Sequence, residues 1–395
     1  MNFYGYPREN GNYGVRNHVA VMSSVLCING VVEEIARQVP GVLPLTHTHG
    51  CGSTEDITLR TLSGIGRNPN FAAVLVIGLG CEGCGAPEVA EAVASSGKPV
   101  EYLVVQKAGG TAETARKGAE IAGRMLSHAQ QEKRVEIGLG HLAVGLECGG
   151  SDAFSGITAN PAVGAAVDML VAEGGTAIIA EITEMVGTAH LLKRRAVNPA
   201  VSKKIEAYVK LGTEASNWGA RRSSSHARAI APGNVEGGLT SIVEKSLGCI
   251  IKGGTATITD CVPYAMKPHT KGLVIMETAG YDIESIAGMA AGGAQVILFT
   301  TGRGTPAGFA GVPVIKVVSN SAAYKNMEGD LDVNAGTIID SDKTTQEVGR
   351  EIFELMVKVA GGELTKAEKN KQNQFAIRQE GFNYPTLKDI AEKGL

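Results

Sequence analysis

Two short stretches set thiols and imidazoles among glycines: THTHGCG at 46–52 and GLGCEGCG at 78–85. A third, LECGGSD at 146–152, adds Glu147, Cys148, Ser151 and Asp152. Thiolate and imidazole together suit zinc, iron or an iron–sulfur cluster. A structural zinc site shows paired C-x-x-C units, and only Cys81–Cys84 forms one. In an extended chain His47, His49 and Cys51 alternate, so all three point to one side. Gly78, Gly80 and Gly83 also spell G-x-G-x-x-G, the dinucleotide fingerprint. That reading fails on its second requirement, an acid at the end of the following strand. The next strand pattern, VEYLVVQ, carries Glu101 at its start and Gln106 at its end.

Three further groups have chemistry in reach. Gly149, Gly150 and Ser151 can offer backbone N–H groups to a carboxylate at a helix start. Glu181, Glu184 and His190 fall in AEITEMVGTAHLLKRR, where carboxylates and a histidine at a strand end are candidate acid–base or metal groups. FTTGRG at 299–304 puts Thr300, Thr301 and Arg303 in a glycine loop, and the Arg303 fork can grip a carboxylate bidentately. No P-loop and no G-x-S-x-G elbow is present in the sequence.

The elements that must position these groups read as α/β. HVAVMSSV, FAAVLVIG and PVEYLVVQ alternate with helical patterns, and the rhythm restarts after the charged stretch QQEKR at 130–134. We expect two Rossmann-like domains with mostly parallel sheets, one over 1–132 and a catalytic one over 135–395. Cys51, Cys81 and Cys148 each fall where a strand runs out, the end at which doubly wound sheets bind ligands. The tail from about 364 reads as polar and peripheral.

Composition limits the rest. The chain has 395 residues, 44% of them hydrophobic and 19% charged, with a net charge of −3. It carries no basic stripe and no apolar run long enough for a membrane span, so neither nucleic acid nor membrane is an expected partner. Seven cysteines in a long chain without a signal-peptide pattern fit a reducing cytoplasm rather than a disulfide scaffold.

Several stretches together resemble the altronate/galactarate dehydratase family of sugar-acid lyases: GYPRENGNYGVRN, HTHGCG, VIGLGCE, GLECGGSDAFSGITANPAVG, EITEMVGTAHLLKRRAVN, PGNVEGGLTSIVEKSLG, FTTGRGTPAGFAGVPVIKV and DVNAGTI. They run from residue 5 to about 340. The sequence starts at the family's second domain, without the small β-clip domain of fused members. In this it is similar to the large subunit of two-subunit members, the sulfolactate sulfo-lyases or split altronate dehydratases. The resemblance implies iron, as Fe2+ or a cluster, and β-elimination from a small 2-hydroxy acid, releasing water from a sugar acid or sulfite from sulfolactate. It also implies a small β-clip partner subunit and assembly into an oligomer. On it we expect Cys51, Cys81, Cys148 and His47 at the metal, with Glu82 acting beside Cys81. Glu184, His190, Arg303 and His49 are expected in catalysis. Gly149, Gly150, Ser151, Asp152, Thr301, Arg303 and Arg16 are expected on the substrate. A relative that binds metal or sugar acid without catalysis is the alternative.

Overall fold

A computed structural model describes residues 1–51, 56–222 and 230–378. Its strands, in chain order, begin with β1 (Asn2–Pro7), β2 (Tyr13–Gly14), β3 (His18–Ser23), β4 (Val42–Leu45) and β5 (Phe71–Gly78). They continue with β6 (Val100–Val104), β7 (Val135–Gly138), β8 (Ala143–Cys148), β9 (Thr176–Ile179) and β10 (Ile258–Val262). The last are β11 (Gly272–Met276), β12 (Val296–Thr301), β13 (Val314–Val318) and β14 (Val333–Asn334). Two parallel sheets result, ordered β4-β3-β5-β6 and β10-β11-β9-β8-β12-β13-β14. Central strands such as FAAVLVIG are buried along their whole length because helices cover both faces. The helices follow the same logic. Asn29–Gln38 turns Val31, Val32 and Ile35 inward, and Thr345–Ala360 opens on a capping box between Thr344 and Glu347.

A small antiparallel ribbon, β2-β1-β7, was not legible in the sequence. It ties the first residues to the stretch after 134, with Asn2 opposite Gly138 and Gly5 opposite Val135.

The two sheets are not separate cores. Met22, Val76 and Leu45 of the first share one buried cluster with Ile178, Met276 and Phe299 of the second. Helix Asp56–Arg67 meets helix Asp282–Ala291 at Gly64, where an added Cβ would lie 2.8 Å from the Ala291 Cβ. The tail corrects the expectation of a peripheral end. Phe375 and Ile377 are buried, and the Phe375 ring stands 5.7 Å from the rings of both His47 and Phe309. Arg378 adds a buried ion pair with Glu277 at 3.0 Å. Apolar residues two apart let an otherwise polar segment seal the junction; the part from 379 lies outside the described residues.

Candidate active site

In the larger sheet the chain lays down β8, adds β9 beside it, then β10 at the edge and β11 between β10 and β9, and returns to the other side of β8 with β12. That makes β8 the switch point, where ligands bind beyond the carboxyl ends. Cys148 is the last residue of β8, and Glu181 and Glu184 follow β9. Helix Ile242–Cys249 and the 3₁₀ turn Ile250–Gly253 lie over them.

Ligand atoms of Cys148, Glu181, Glu184 and Cys249 all lie within 4.8 Å of one another, and all four residues are buried. The Cys148 thiol donates to Glu184 Oε2 at 3.0 Å and stands 3.8 Å from the Cys249 sulfur. Glu181 Oε2 accepts from the Cys148 N–H at 2.9 Å and from Lys252 Nζ at 2.5 Å. Lys252 Nζ also reaches Cys249 Sγ at 3.1 Å, and Lys245 Nζ donates to Glu184 Oε1 at 2.5 Å. Hydrogen bonding to Cys249, together with burial, pushes the Cys148 thiol well up. Burial opposes the Lys252 charge, but the surrounding thiols and carboxylates outweigh it and raise its pKa well above the ordinary range. Burial also raises the Glu181 carboxyl, against the pull of Lys252.

Two observations mark this group as more than core. Glu181 sits at φ 67°, ψ 56°, a left-handed conformation a glutamate adopts at a cost. Its Oε1 is buried without a hydrogen-bond partner among the described residues. An orphaned carboxylate oxygen beside two thiols and a second carboxylate is a donor set that can hold a divalent transition metal.

Side chains alternate along β8, so Glu147 faces the opposite way from Cys148. Its Oε2 accepts from Ser285 Oγ at 2.6 Å, and Ser285 meets Thr278, which in turn accepts from the Glu181 N–H. Burial, then the charges of Glu181 and Glu184, pushes the Asp282 carboxyl up to about 7. An added Cβ at Gly149 would lie 3.2 Å from Asp282 Oδ2.

Of the residues expected at the metal, the cluster contains Cys148; of those expected in catalysis, it contains Glu184. Cys51 and Cys81 are exposed at the ends of the first sheet, their loops joined by Gly83 N–H to Cys51 O at 3.1 Å. His47 is buried, its Nε2 bonded to Ser23 O at 2.9 Å and its Nδ1 accepting the His49 N–H at 3.1 Å. Both ring nitrogens are therefore engaged within the loop. His49 is buried too, against Thr58 Oγ1, while Cys51 is exposed, so the alternation does not put all three on one side. The glycine fingerprint also has an occupant of its own. Glu82 accepts from the N–H groups of Leu79, Gly80 and Cys81 and from Ser24 Oγ. Its carboxylate fills the anion nest that a pyrophosphate would need.

The substrate-side residues divide likewise. Ser151 Oγ is 3.9 Å from Cys148 Sγ. The Gly149 N–H is taken by Thr300 O and the Gly302 N–H donates to Gly150 O, so β8–β12 pairing continues past both strands. Asp152 accepts from Ser155, Ser319 and Asn320 and so pins the loop. Thr301 Oγ1 accepts from the Gly304 N–H. Arg303 lies over Gly150 at the rim, paired with Glu236 at 2.8 Å. His190 is exposed in the helix Ala189–Lys193. Arg16 is buried elsewhere, bound to Glu368 and to the carbonyls of Val15, Val359 and Glu363.

Cys249, Lys245 and Lys252 were absent from the expected set, whereas Glu181 was a candidate acid–base or metal group and lies in the cluster. A signal existed: positions 245, 249 and 252 are spaced four and three apart in VEKSLGCIIKGG, one face of a helix.

Comparison with known proteins gives two family-model matches. Residues 139–383 match the D-galactarate/altronate dehydratase C-terminal model, and residues 5–130 match the D-galactarate dehydratase/altronate hydrolase second domain. These regions fall on the two parallel sheets. The chain is 36% identical over 393 residues to an altronate dehydratase of Bacillus subtilis (strain 168), covering 96% of this chain and 78% of that protein. It is 36% identical over 384 residues to a galactarate dehydratase (L-threo-forming) of Escherichia coli (strain K12), covering 91% and 73%. It is 34% identical over 381 residues to a (2R)-sulfolactate sulfo-lyase subunit beta of Chromohalobacter salexigens, covering 95% and 96%.

Proposed function

The chain belongs to the D-galactarate/altronate dehydratase family, and from that premise we propose that it is an iron-dependent lyase acting on a small 2-hydroxy acid. Its relatives are dehydratases and a sulfo-lyase subunit, which makes a lyase-type reaction the common ground. The reaction is β-elimination. The proton on C2 leaves, the hydroxyl or sulfonate on C3 departs as water or sulfite, and the resulting enol becomes a 2-oxo acid. The observation that carries this reading is the buried set Cys148, Glu181, Glu184 and Cys249 with its two lysines at the switch point.

Those four residues would hold the iron, which would supply a positive charge for the substrate's carboxylate as the enediolate develops. The other roles fall to the chain itself. Arg303, exchanging Glu236 for the substrate carboxylate, orients the acid over Gly150. Glu184 accepts the C2 proton at a carboxylate oxygen, and Lys245, hydrogen-bonded to its Oε1, holds the carboxylate in place. Asp282, next to Gly149, gives a proton to the leaving group. Lys252 fixes Glu181 and adds fixed positive charge in a site closed to water, where charge counts most. The sulfo-lyase relative is named a subunit, which supports a smaller partner chain in an oligomeric assembly.

The test is metal analysis of protein prepared without oxygen, followed by a coupled assay for 2-oxo acid with altronate, galactarate and sulfolactate, with a small partner subunit supplied. We expect iron to co-purify, activity to fall in air, and ferrous iron with a reductant to restore it. Full turnover by iron-free protein overturns the iron assignment. Iron-loaded protein that binds these acids without releasing any 2-oxo acid overturns the lyase.

A further inference from the structure

At the opposite ends of the strands, between the two lobes, lies a cavity of about 590 Å3. Its wall carries Arg60, Arg67, His141, Lys267, His269 and Lys271, and no aspartate or glutamate. In a protein whose net charge is −3, such a concentration of one sign requires a reason. Among the described residues none of Arg60, Arg67, Lys267 and Lys271 belongs to an ion pair. Instead they touch neutral groups: Arg60 reaches Tyr264 O at 3.1 Å, and Lys267 reaches Asn12 Oδ1 at 3.1 Å across the lobes. Glu9 and Glu132 line an adjoining groove that shares Arg67 with this one.

Helix dipoles explain part of this charge. Helix Asp56–Arg67 ends at the cavity, and Arg67 hydrogen-bonds Ser63 O of its own last turn. They do not explain His269 and Lys271, which come from the loop leading into β11. Lys271 Nζ lies 3.5 Å from where a Cβ at Gly140 would be, a side chain's reach into the cleft. Burial and then the charge of Arg67 lower the Lys267 pKa, as expected of cations that face one another without a counter-ion.

We infer that this cleft is a second binding site, one that takes a small polyanion with at least two negative groups, phosphorylated or polycarboxylate. The volume suits a molecule of that class. Asn10, Ser96 and Thr270 on the wall supply hydrogen-bonding groups for its neutral part. The site is distinct from the cluster around Cys148. β8 starts at the cavity with Ala143 and ends at Cys148, five residues or roughly 17 Å away. Because the cations come from both lobes, a bound polyanion holds the lobes together.

Calorimetric titration and thermal unfolding with pyrophosphate, citrate and adenosine triphosphate test this, with Arg67→Gln/Lys267→Gln and Cys148→Ser proteins in parallel. At least one probe is expected to bind saturably and to raise Tm by about 3 °C at a free concentration of a hundred times Kd. The pattern among probes separates phosphate from carboxylate ligands. The Arg67/Lys267 double variant should bind at least tenfold more weakly, and Cys148→Ser should bind like the parent. Absence of binding by all three probes overturns the proposal. So does affinity unchanged in the double variant, or lost only in Cys148→Ser.

Discussion

At the scale of single residues, the two groups of thiols make opposite predictions. If the buried set holds the metal, Cys148→Ser and Cys249→Ser each lose bound iron and activity while circular dichroism stays native. Cys51→Ser and Cys81→Ser should keep the iron. Iron retained by Cys249→Ser and lost by Cys81→Ser would move the metal to the exposed loops of the first sheet. Arg303 is a second case. Its charge matters most as the substrate carboxylate approaches the enediolate, and lysine keeps the charge but not the fork. Arg303→Lys should lower kcat/KM by about 10²-fold with iron content unchanged, a drop like that for a lost oxyanion donor. Near-normal turnover would free Arg303 of that role. His47 gives a pH dependence. Burial chiefly holds its imidazole at a pKa of about 4, against an ordinary 6.5. The folded form thus binds fewer protons than the unfolded form between those values. Its share of stability is complete above pH 6.5 and falls as pH drops toward 4, by roughly 3 kcal/mol. Denaturant titrations across that range should show the slope of stability against pH fall by about one proton in His47→Gln. An unchanged slope would assign the acid sensitivity to other groups.

At the scale of elements, glycines determine how closely the supporting pieces approach the site. Gly212 of helix Pro199–Arg222 lies against the turn after Glu181, and an added Cβ would fall 2.0 Å from Ile182 O. Gly212→Ala must displace that turn, costing about 1–3 kcal/mol, and Glu181 and Glu184 move with it. Gly123 in helix Thr111–Ala129 has nothing within 4 Å of its added Cβ. There the same change should stabilise by up to about 1 kcal/mol. Equal Tm shifts in the two variants would contradict this packing. The same scale shows what the sequence could reveal. Buried strands such as FAAVLVIG and KGLVIMET announced themselves because both faces are apolar, and the ends of three others, HLAVGLE, TAIIAEI and AQVILFTT, located Cys148, Glu184 and Arg303. Cys249 and Lys252 were hidden because they approach the site from a helix a hundred residues downstream of Cys148. A hydrophobic pattern records which face is buried, not what it is buried against. The β1–β7 ribbon was invisible for a similar reason. Its strands are short and half exposed, and only the pairing of residue 2 with 138 makes them strands.

At the scale of the molecule, the shared core means that neither lobe presents a finished surface alone. Residues 5–130 expressed by themselves expose Leu62, Ile65 and Val76, which the intact protein buries together with the second lobe. We expect that fragment to aggregate or to lack a cooperative transition, and the whole chain to unfold in one calorimetric step. A soluble, cooperatively unfolding fragment would show the lobes to be independent. The ribbon and the tail then impose a timetable on synthesis. β1 leaves the ribosome long before its partner β7, which starts at Val135. At about 5–20 residues per second, β1 waits roughly 7–26 s for that partner. Phe375, which seals the junction, is made later still. A nascent chain therefore carries an open seam between its lobes until Phe375 has been made, and in that interval it most needs a chaperone.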